Sequence, residues 1–219
     1  MIKITNITKS FKNGDVETHV LKGISLEIKS GEFVAIMGKS GAGKSTLMYQ
    51  MSLLDHPTSG EILIDNQKVT NLSHDERTKF RLDNLGYIFQ DYALVPELTA
   101  LENIMVPLLM QEKSDEEALS IAKASLEKIG LGHRENNLPS QLSGGEQQRV
   151  SIARAVAHNP KILFADEPTA NLDNISSQAV MEIFSDLHKQ GQTIVMVTHE
   201  TEYTVHCDRI IQISDGQVI

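Results

Sequence analysis

The run Gly38-Lys39-Ser40-Gly41-Ala42-Gly43-Lys44-Ser45 sets glycines, a lysine and a hydroxyl at the spacing that wraps a polyphosphate. Its glycines let backbone amides turn inward and meet phosphate oxygens without side chains in the way. A helix opening at Lys44 would aim free N–H groups and partial positive charge at the same anion. In that arrangement Lys44 reaches the β- and γ-phosphates, Ser45 holds magnesium and Thr46 donates to the α-phosphate. A chance glycine-rich turn is the competing explanation. The apolar run before the loop and the helix after it, at residues 32–37 and from Lys44, supply the strand–loop–helix setting that the chemistry requires.

Two further runs complete this chemistry. Ile162-Leu163-Phe164-Ala165-Asp166-Glu167 is an apolar strand ending in two carboxylates, which it delivers to the ligand-binding edge of an open α/β sheet. Asp166 is expected to hold magnesium through water, and Glu167 to orient and deprotonate an attacking water. On its own such a run is more often a strand meeting solvent; the phosphate loop upstream reverses that weighting. Leu142-Ser143-Gly144-Gly145-Glu146-Gln147-Gln148-Arg149 reads as a helix start near Glu146, capped by Ser143, with amides left for a second anion. The first loop already encloses one side of a triphosphate, so a second such terminus has no obvious use on the same molecule.

The elements that must carry these residues read as α/β. Residues 2–11 and 20–28 alternate apolar and polar, as half-buried strands do, while 162–165 and 193–197 are short apolar runs of buried-strand length. Residues 175–190 read as a helix between the last two, so a mostly parallel central sheet is expected. From about 73 to 138 the pattern is mostly helical. Thr99 caps one helix there, and Ser114-Asp115-Glu116-Glu117 opens another that ends at Gly130. Residues 209–214 form a closing strand before the turn pair Asp215-Gly216.

Composition narrows the partners. The chain has 219 residues, 40% of them hydrophobic, which suits one domain with a subdomain inserted. A net charge of −9 argues against wrapping a nucleic-acid backbone. A single cysteine, Cys207, excludes an internal disulfide and fits a reducing compartment. The N-terminal residues lack a signal-peptide core, and no apolar stretch reaches the roughly 18 residues of a membrane span. Any service to a membrane is therefore expected from a peripheral position on its cytoplasmic face.

The Leu142–Arg149 run resembles the signature motif of the ABC ATPases, and other family features follow in order along the chain. The resemblance implies that Ser143, Gly144 and Gly145 contact the γ-phosphate bound to a partner subunit, so that a homodimer encloses two ATP molecules. It implies a glutamine loop at Gln90 that touches magnesium, a switch histidine at His199, and an interface loop at Asn171-Leu172-Asp173. It also places Phe11 where an aromatic ring stacks on adenine. Singly each has a duller reading: a lone Phe is usually core, and a lone His or Gln is usually solvated. The implied fold is a P-loop NTPase core with an N-terminal antiparallel β subdomain and an inserted helical subdomain. The chain is then a single ATPase domain over 1–219, with its core at about 1–90 and 140–219 and the helical part at about 91–139.

Two segments, Leu54-Asp55-His56-Pro57-Thr58-Ser59-Gly60-Glu61-Ile62 and Leu94-Val95-Pro96-Glu97-Leu98-Thr99-Ala100-Leu101-Glu102-Asn103-Ile104, resemble one subgroup. It serves lipoprotein release, macrolide export, antimicrobial-peptide resistance and cell division. The implied function is a transport-coupled ATPase that uses ATP and Mg2+ to drive a separate integral membrane permease. A cassette that regulates cell-division enzymes is the alternative within that class. A soluble ATPase acting on DNA or ribosomes is disfavoured, since the chain shows one cassette and no heptad run. Glu146 stands where the family more often has glutamine, Phe11 where it has tyrosine, and Ala170 where the subgroup often has glycine. The scattered methionines read as core filling or permease contacts, the histidines outside the motifs carry no metal-ligand spacing, and Cys207 reads as structural.

Overall fold

The computed structural model describes residues 1–14 and 16–219. In chain order the elements are β1 (Ile2–Asn13), β2 (Val16–Ile28), β3 (Phe33–Met37), α1 (Lys44–Met51), β4 (Ser59–Ile64), β5 (Gln67–Lys68) and α2 (His74–Asn84). There follow β6 (Leu85–Ile88), α3 (Ala100–Met110), α4 (Asp115–Lys128), α5 (Gly144–Val156), β7 (Ile162–Asp166), α6 (Asn174–Lys189), β8 (Thr193–Val197), β9 (Arg209–Ser214) and β10 (Gln217–Val218). Two compact units result: Met1–Arg81 with His188–Ile219, and Leu82–Leu187.

The first unit holds an antiparallel sheet in the order β2-β1-β4-β5. In β1 the buried positions are Ile2, Ile4 and then Ile7, a break in strict alternation. Asn6 causes it: at φ 52 it bulges the strand, and its amide donates to Ser25 Oγ at 2.8 Å. The bulge returns Ile7 to the apolar face. In the same unit β3 lies between β8 and β9, parallel to both, and β10 folds back antiparallel on β9. All five residues of β3 and of β8 are buried, which is why both read as unbroken apolar runs.

In the second unit β6 runs parallel to β7. Helices α3, α4 and α5 pack on one another around Ala100, Ile104, Ala122, Leu126, Leu142, Val150 and Ala153. Each helix opens on a reciprocal capping box: Thr99 with Glu102, Ser114 with Glu117, and Ser143 with Glu146. The expectation of an α/β fold with parallel strands, an N-terminal antiparallel sheet and a helical portion holds. Two local readings change, and one strand pair is new. Leu85–Ile88, inside the stretch read as mostly helical, is a strand; its Gly86 is needed because a Cβ there would stand 2.3 Å from Ala155 O. Strands β4 and β5 were not legible as such. The signature helix begins at Gly144 rather than near Glu146, since the box fixes Ser143 as its cap.

Candidate functional site

In the first unit, Ile36 of β3 pairs with Val197 of β8, so both strands open at the same edge. There β3 runs into the phosphate loop and β8 into Thr198 and His199. The Thr198 amide donates to Ile36 O at 3.2 Å, and His199 is exposed. The loop glycines serve different ends. Gly38, Gly41 and Gly43 have φ values of 156°, 76° and 100°. A Cβ on Gly38 would stand 2.2 Å from Ile213 O, and one on Gly43 3.1 Å from Val20 O. At Gly41 the surroundings are open, and only the left-handed backbone demands glycine.

Lys39, Ser40 and Gly41 are exposed at the crest of this loop, whereas Ala42 and Gly43 are buried at its root. Lys44 is 8% exposed, and its Nζ donates to Lys39 O at 3.2 Å. The ammonium is thus folded back into the loop, held by a main-chain oxygen. Ser45 and Thr46 occupy the first turn of α1, half-buried. Gly43 caps that helix without a side-chain bond, which leaves first-turn donors to a ligand or water. Phe11 stands apart on β1, 49% exposed.

In the second unit the parallel pair β6 and β7 brings Gln90 and Asp166 to the same edge, because Ile88 pairs with Ala165. Asp166 is buried, with Tyr87 OH 3.5 Å from its Oδ2. Glu167 follows at φ 45, a left-handed conformation that a non-glycine residue holds only under local constraint. Gln148, fully buried on α5, supplies part of that constraint: its Nε2 donates to Pro168 O at 2.7 Å. The exposed Gln90 is tied by its carbonyl, which accepts from Asn171 Nδ2 at 3.3 Å. Beyond it, Tyr92 and Ala93 are both left-handed, and Arg154 donates to their carbonyls at 2.9 and 2.6 Å.

The signature terminus lies in the same unit. Ser143 is exposed at the cap of α5, with its amide donating to Glu146 Oε2 at 2.8 Å. The other Glu146 oxygen is 3.3 Å from Arg134 Nε. Glu146 is held below the usual carboxylate range: the Ser143 amide leads, burial opposes, and the Ser143 hydroxyl and Arg134 add to the fall. Glutamine at this position would close the cap as well; what the carboxylate adds is its ion pair with Arg134. Gly144 sits under Tyr92, whose hydroxyl would be 2.8 Å from an added Cβ. Asp173 caps α6, accepting from both the amide and the hydroxyl of Ser176 at 2.9 Å.

Each unit thus assembles part of the expected set. The first gathers Gly38, Lys39, Ser40, Gly41, Ala42, Gly43, Lys44, Ser45 and Thr46 beside His199. The second gathers Gln90, Asp166 and Glu167, and separately Ser143, Gly144 and Gly145 beside the helix that Asp173 caps. Sequence reading missed Asn103, Gln148 and Arg154. Asn103 and Gln148 are fully buried, and polar residues on the inward face of an amphipathic helix are the signal that could have found them. Asn103 fixes the 95–99 turn, donating to the carbonyls of Val95, Leu98 and Thr99 and accepting from the Val95 amide. Cys207 is partly buried and its thiol is pushed up to about 12, first by burial and then by Asp208, so it stays protonated at neutral pH. Among the described residues no cluster of His, Cys, Asp and Glu makes a metal cage, and no helix is long and apolar enough to cross a membrane.

Known proteins resemble the chain over its whole length. The family model described as "ABC transporter" matches residues 21–170. An uncharacterized ABC transporter ATP-binding protein of Methanocaldococcus jannaschii is 49% identical over 219 residues, covering all of this chain and 98% of that protein. The macrolide export ATP-binding/permease protein MacB of Brucella melitensis is 47% identical over the whole chain, which spans only 34% of MacB. The dimeric structure of a post-hydrolysis state of the ATP-binding cassette MJ0796, bound to ADP and Pi, superposes with a TM-score of 0.93. That match has 45% identity and covers 100% of this chain and 96% of the other. The family model and relatives of this identity over the whole chain show that it belongs to the ABC transporter family as an ATP-binding cassette.

Proposed function

We propose that the cassette hydrolyses ATP as a homodimer enclosing two nucleotides, and that closure of the dimer drives a separate membrane permease from the cytoplasmic face. The observation that carries this reading is the phosphate loop itself. Three left-handed glycines shape it, and the Lys44 ammonium already rests on a loop oxygen at 3.2 Å. A phosphate oxygen is a stronger acceptor than that carbonyl, so Lys44 exchanges one partner for a better one when ATP binds. Backbone amides and the N-terminus of α1 meet the remaining phosphate charge.

Glu167 is the general base, accepting the proton of the attacking water, and the left-handed kink after β7 presents its carboxylate. His199 contacts the γ-phosphate, while Ser143 with the amides of Gly144 and Gly145 contacts that of the partner subunit. Phe11 stacks on the adenine. The oxygen donors of Ser45, Gln90 and Asp166 are hard ligands of the kind Mg2+ prefers, and phosphates and water would complete its shell. When bound, the ion neutralises charge on the β- and γ-phosphates.

Coupling to the permease is assigned to the second unit. Leu98, Met105, Val106, Leu109 and Leu119 line a groove of about 600 Å³ rimmed by Glu102, Asp115 and Glu116. An apolar floor with an acidic rim suits an amphipathic helix carrying basic residues. The likeness to MacB favours export or force transmission over uptake. Replacing Lys44 with Ala tests the core of the proposal: fluorescent-ATP affinity should collapse while the melting temperature holds. Unchanged affinity would remove the assignment.

A further inference from the structure

Lys9 and Phe11 lie two positions apart on β1, on the same side of the strand. Their environments differ sharply. The Phe11 ring is half open to solvent, whereas the Lys9 side chain is only 12% exposed. An ammonium withdrawn that far from water needs partners, and Lys9 has three. Its Nζ is 2.7 Å from Asp55 Oδ2, donates to His56 O at 2.7 Å, and stands 4.9 Å from the centre of the Phe11 ring.

Asp55 is itself fixed. Its Oδ2 accepts from Gln50 Nε2 at 3.0 Å, and its Oδ1 from the His56 amide at 2.7 Å. Gln50 is fully buried in the last turn of α1, the helix whose first turn carries Lys44 and Ser45. A continuous line of contacts therefore runs from the exposed ring through Lys9, Asp55 and Gln50 to the phosphate-binding helix.

We infer that Lys9 is the positioning residue of the nucleobase subsite, bracing one face of Phe11 so that the other is held ready for a purine. The inference rests on the reading of Phe11 as the base-stacking ring and adds what orients it and what it prefers. A cation on one face pins the ring and leaves one side open for stacking. It also draws π density toward itself, so the open face favours an electron-rich base such as adenine over a pyrimidine. The link through Asp55 and Gln50 fixes the ring relative to α1, setting the span between base and phosphate subsites.

The test measures equilibrium binding of ATP, CTP and inorganic tripolyphosphate to the full chain carrying Lys9→Met, Lys9→Arg or Phe11→Ala. Lys9→Met should weaken ATP about 3–10-fold, narrow the preference for ATP over CTP, and leave tripolyphosphate binding in place. Lys9→Arg keeps a cation over the ring and should restore most of both effects. If Phe11→Ala weakens ATP while Lys9→Met leaves affinity and base preference unchanged, the brace is wrong and the stacking assignment stands. If Phe11→Ala has no effect, the stacking assignment itself fails. Equal loss of tripolyphosphate would place Lys9's action on α1 and overturn the base role. Should Lys9→Met not fold, Lys9→Gln, which removes the charge but keeps a hydrogen-bonding end for His56 O, gives the same comparison.

Discussion

Gly145 is the second glycine of the signature and lies in the first turn of α5. Alanine in place of a helical glycine ordinarily stabilises by about 0.8–1 kcal/mol. Here the structure reverses that sign. A Cβ on Gly145 would stand 2.5 Å from Ser176 Oγ and 2.7 Å from Ser176 Cβ. Ser176 cannot swing away cheaply, because its amide and hydroxyl both bond Asp173 at 2.9 Å to cap α6. Overpacking of this kind costs about 1–3 kcal/mol, and losing the cap adds about 0.5–2 kcal/mol. Setting the propensity gain against these leaves a net destabilisation of roughly 0.5–4 kcal/mol, or a fall in Tm of roughly 1–16 °C. Differential scanning calorimetry on Gly145→Ala measures it, and Ser176→Gly in the same chain should recover part of the loss. A Gly145→Ala protein that melts at or above the wild type would refute the packing account and leave the glycine to ligand approach alone.

Leu98→Glu puts a further carboxylate into a groove already rimmed by Glu102, Asp115 and Glu116; it should abolish permease recovery from membranes while basal ATP hydrolysis stays near wild type, and intact recovery would move the contact elsewhere. Leu98 serves this test better than Leu94, which packs against the helical core and would also lose stability when charged. The capping glutamates set an acid limit: Glu102 and Glu117 are held below their ordinary value of 4.5, in each case by the capping residue's amide and then its hydroxyl. A depressed folded value means that their stabilisation is complete above 4.5 and is lost as pH falls through the folded values, so the wild-type melting temperature should drop below about pH 4.5. Glu102→Gln with Glu117→Gln should flatten that drop in a melting series from neutral to acid pH, and an unchanged profile would show that other groups govern it.

The phosphate loop, the strand-end carboxylates and the signature helix were legible because each couples a fixed residue spacing to a local element. The buried runs of β3 and β8 announced themselves by continuous hydrophobicity, and Thr99 and Ser114 by their capping pattern. Much of the rest was set by tertiary contact. Nothing local tells Leu85–Ile88 to form a strand; the partner β7 decides it. Ser143-x-x-Glu146 is a capping box in its own right, yet in the sequence Glu146 stands out only as a departure from the family's glutamine. Asp173 was expected at an interface on resemblance, and its carboxylate also caps α6. The positions of Arg154 and Gln148, which hold the loops after Gln90 and Glu167, depend on chain segments distant in sequence.

The central claim is that Glu167 removes the proton of the attacking water within an ATP-closed dimer, and one measurement reaches both halves of it. Glu167→Gln keeps the size of the side chain and removes its basicity, so hydrolysis should fall by about 10²–10⁴-fold while ATP still binds. Size-exclusion chromatography with light scattering, with and without ATP, should then show this variant accumulating as a dimer with two nucleotides bound. The wild type, which hydrolyses its ATP, should remain mainly monomeric in the absence of the permease. A Glu167→Gln protein that stays monomeric at saturating ATP, or that turns ATP over at the wild-type rate, would contradict the account.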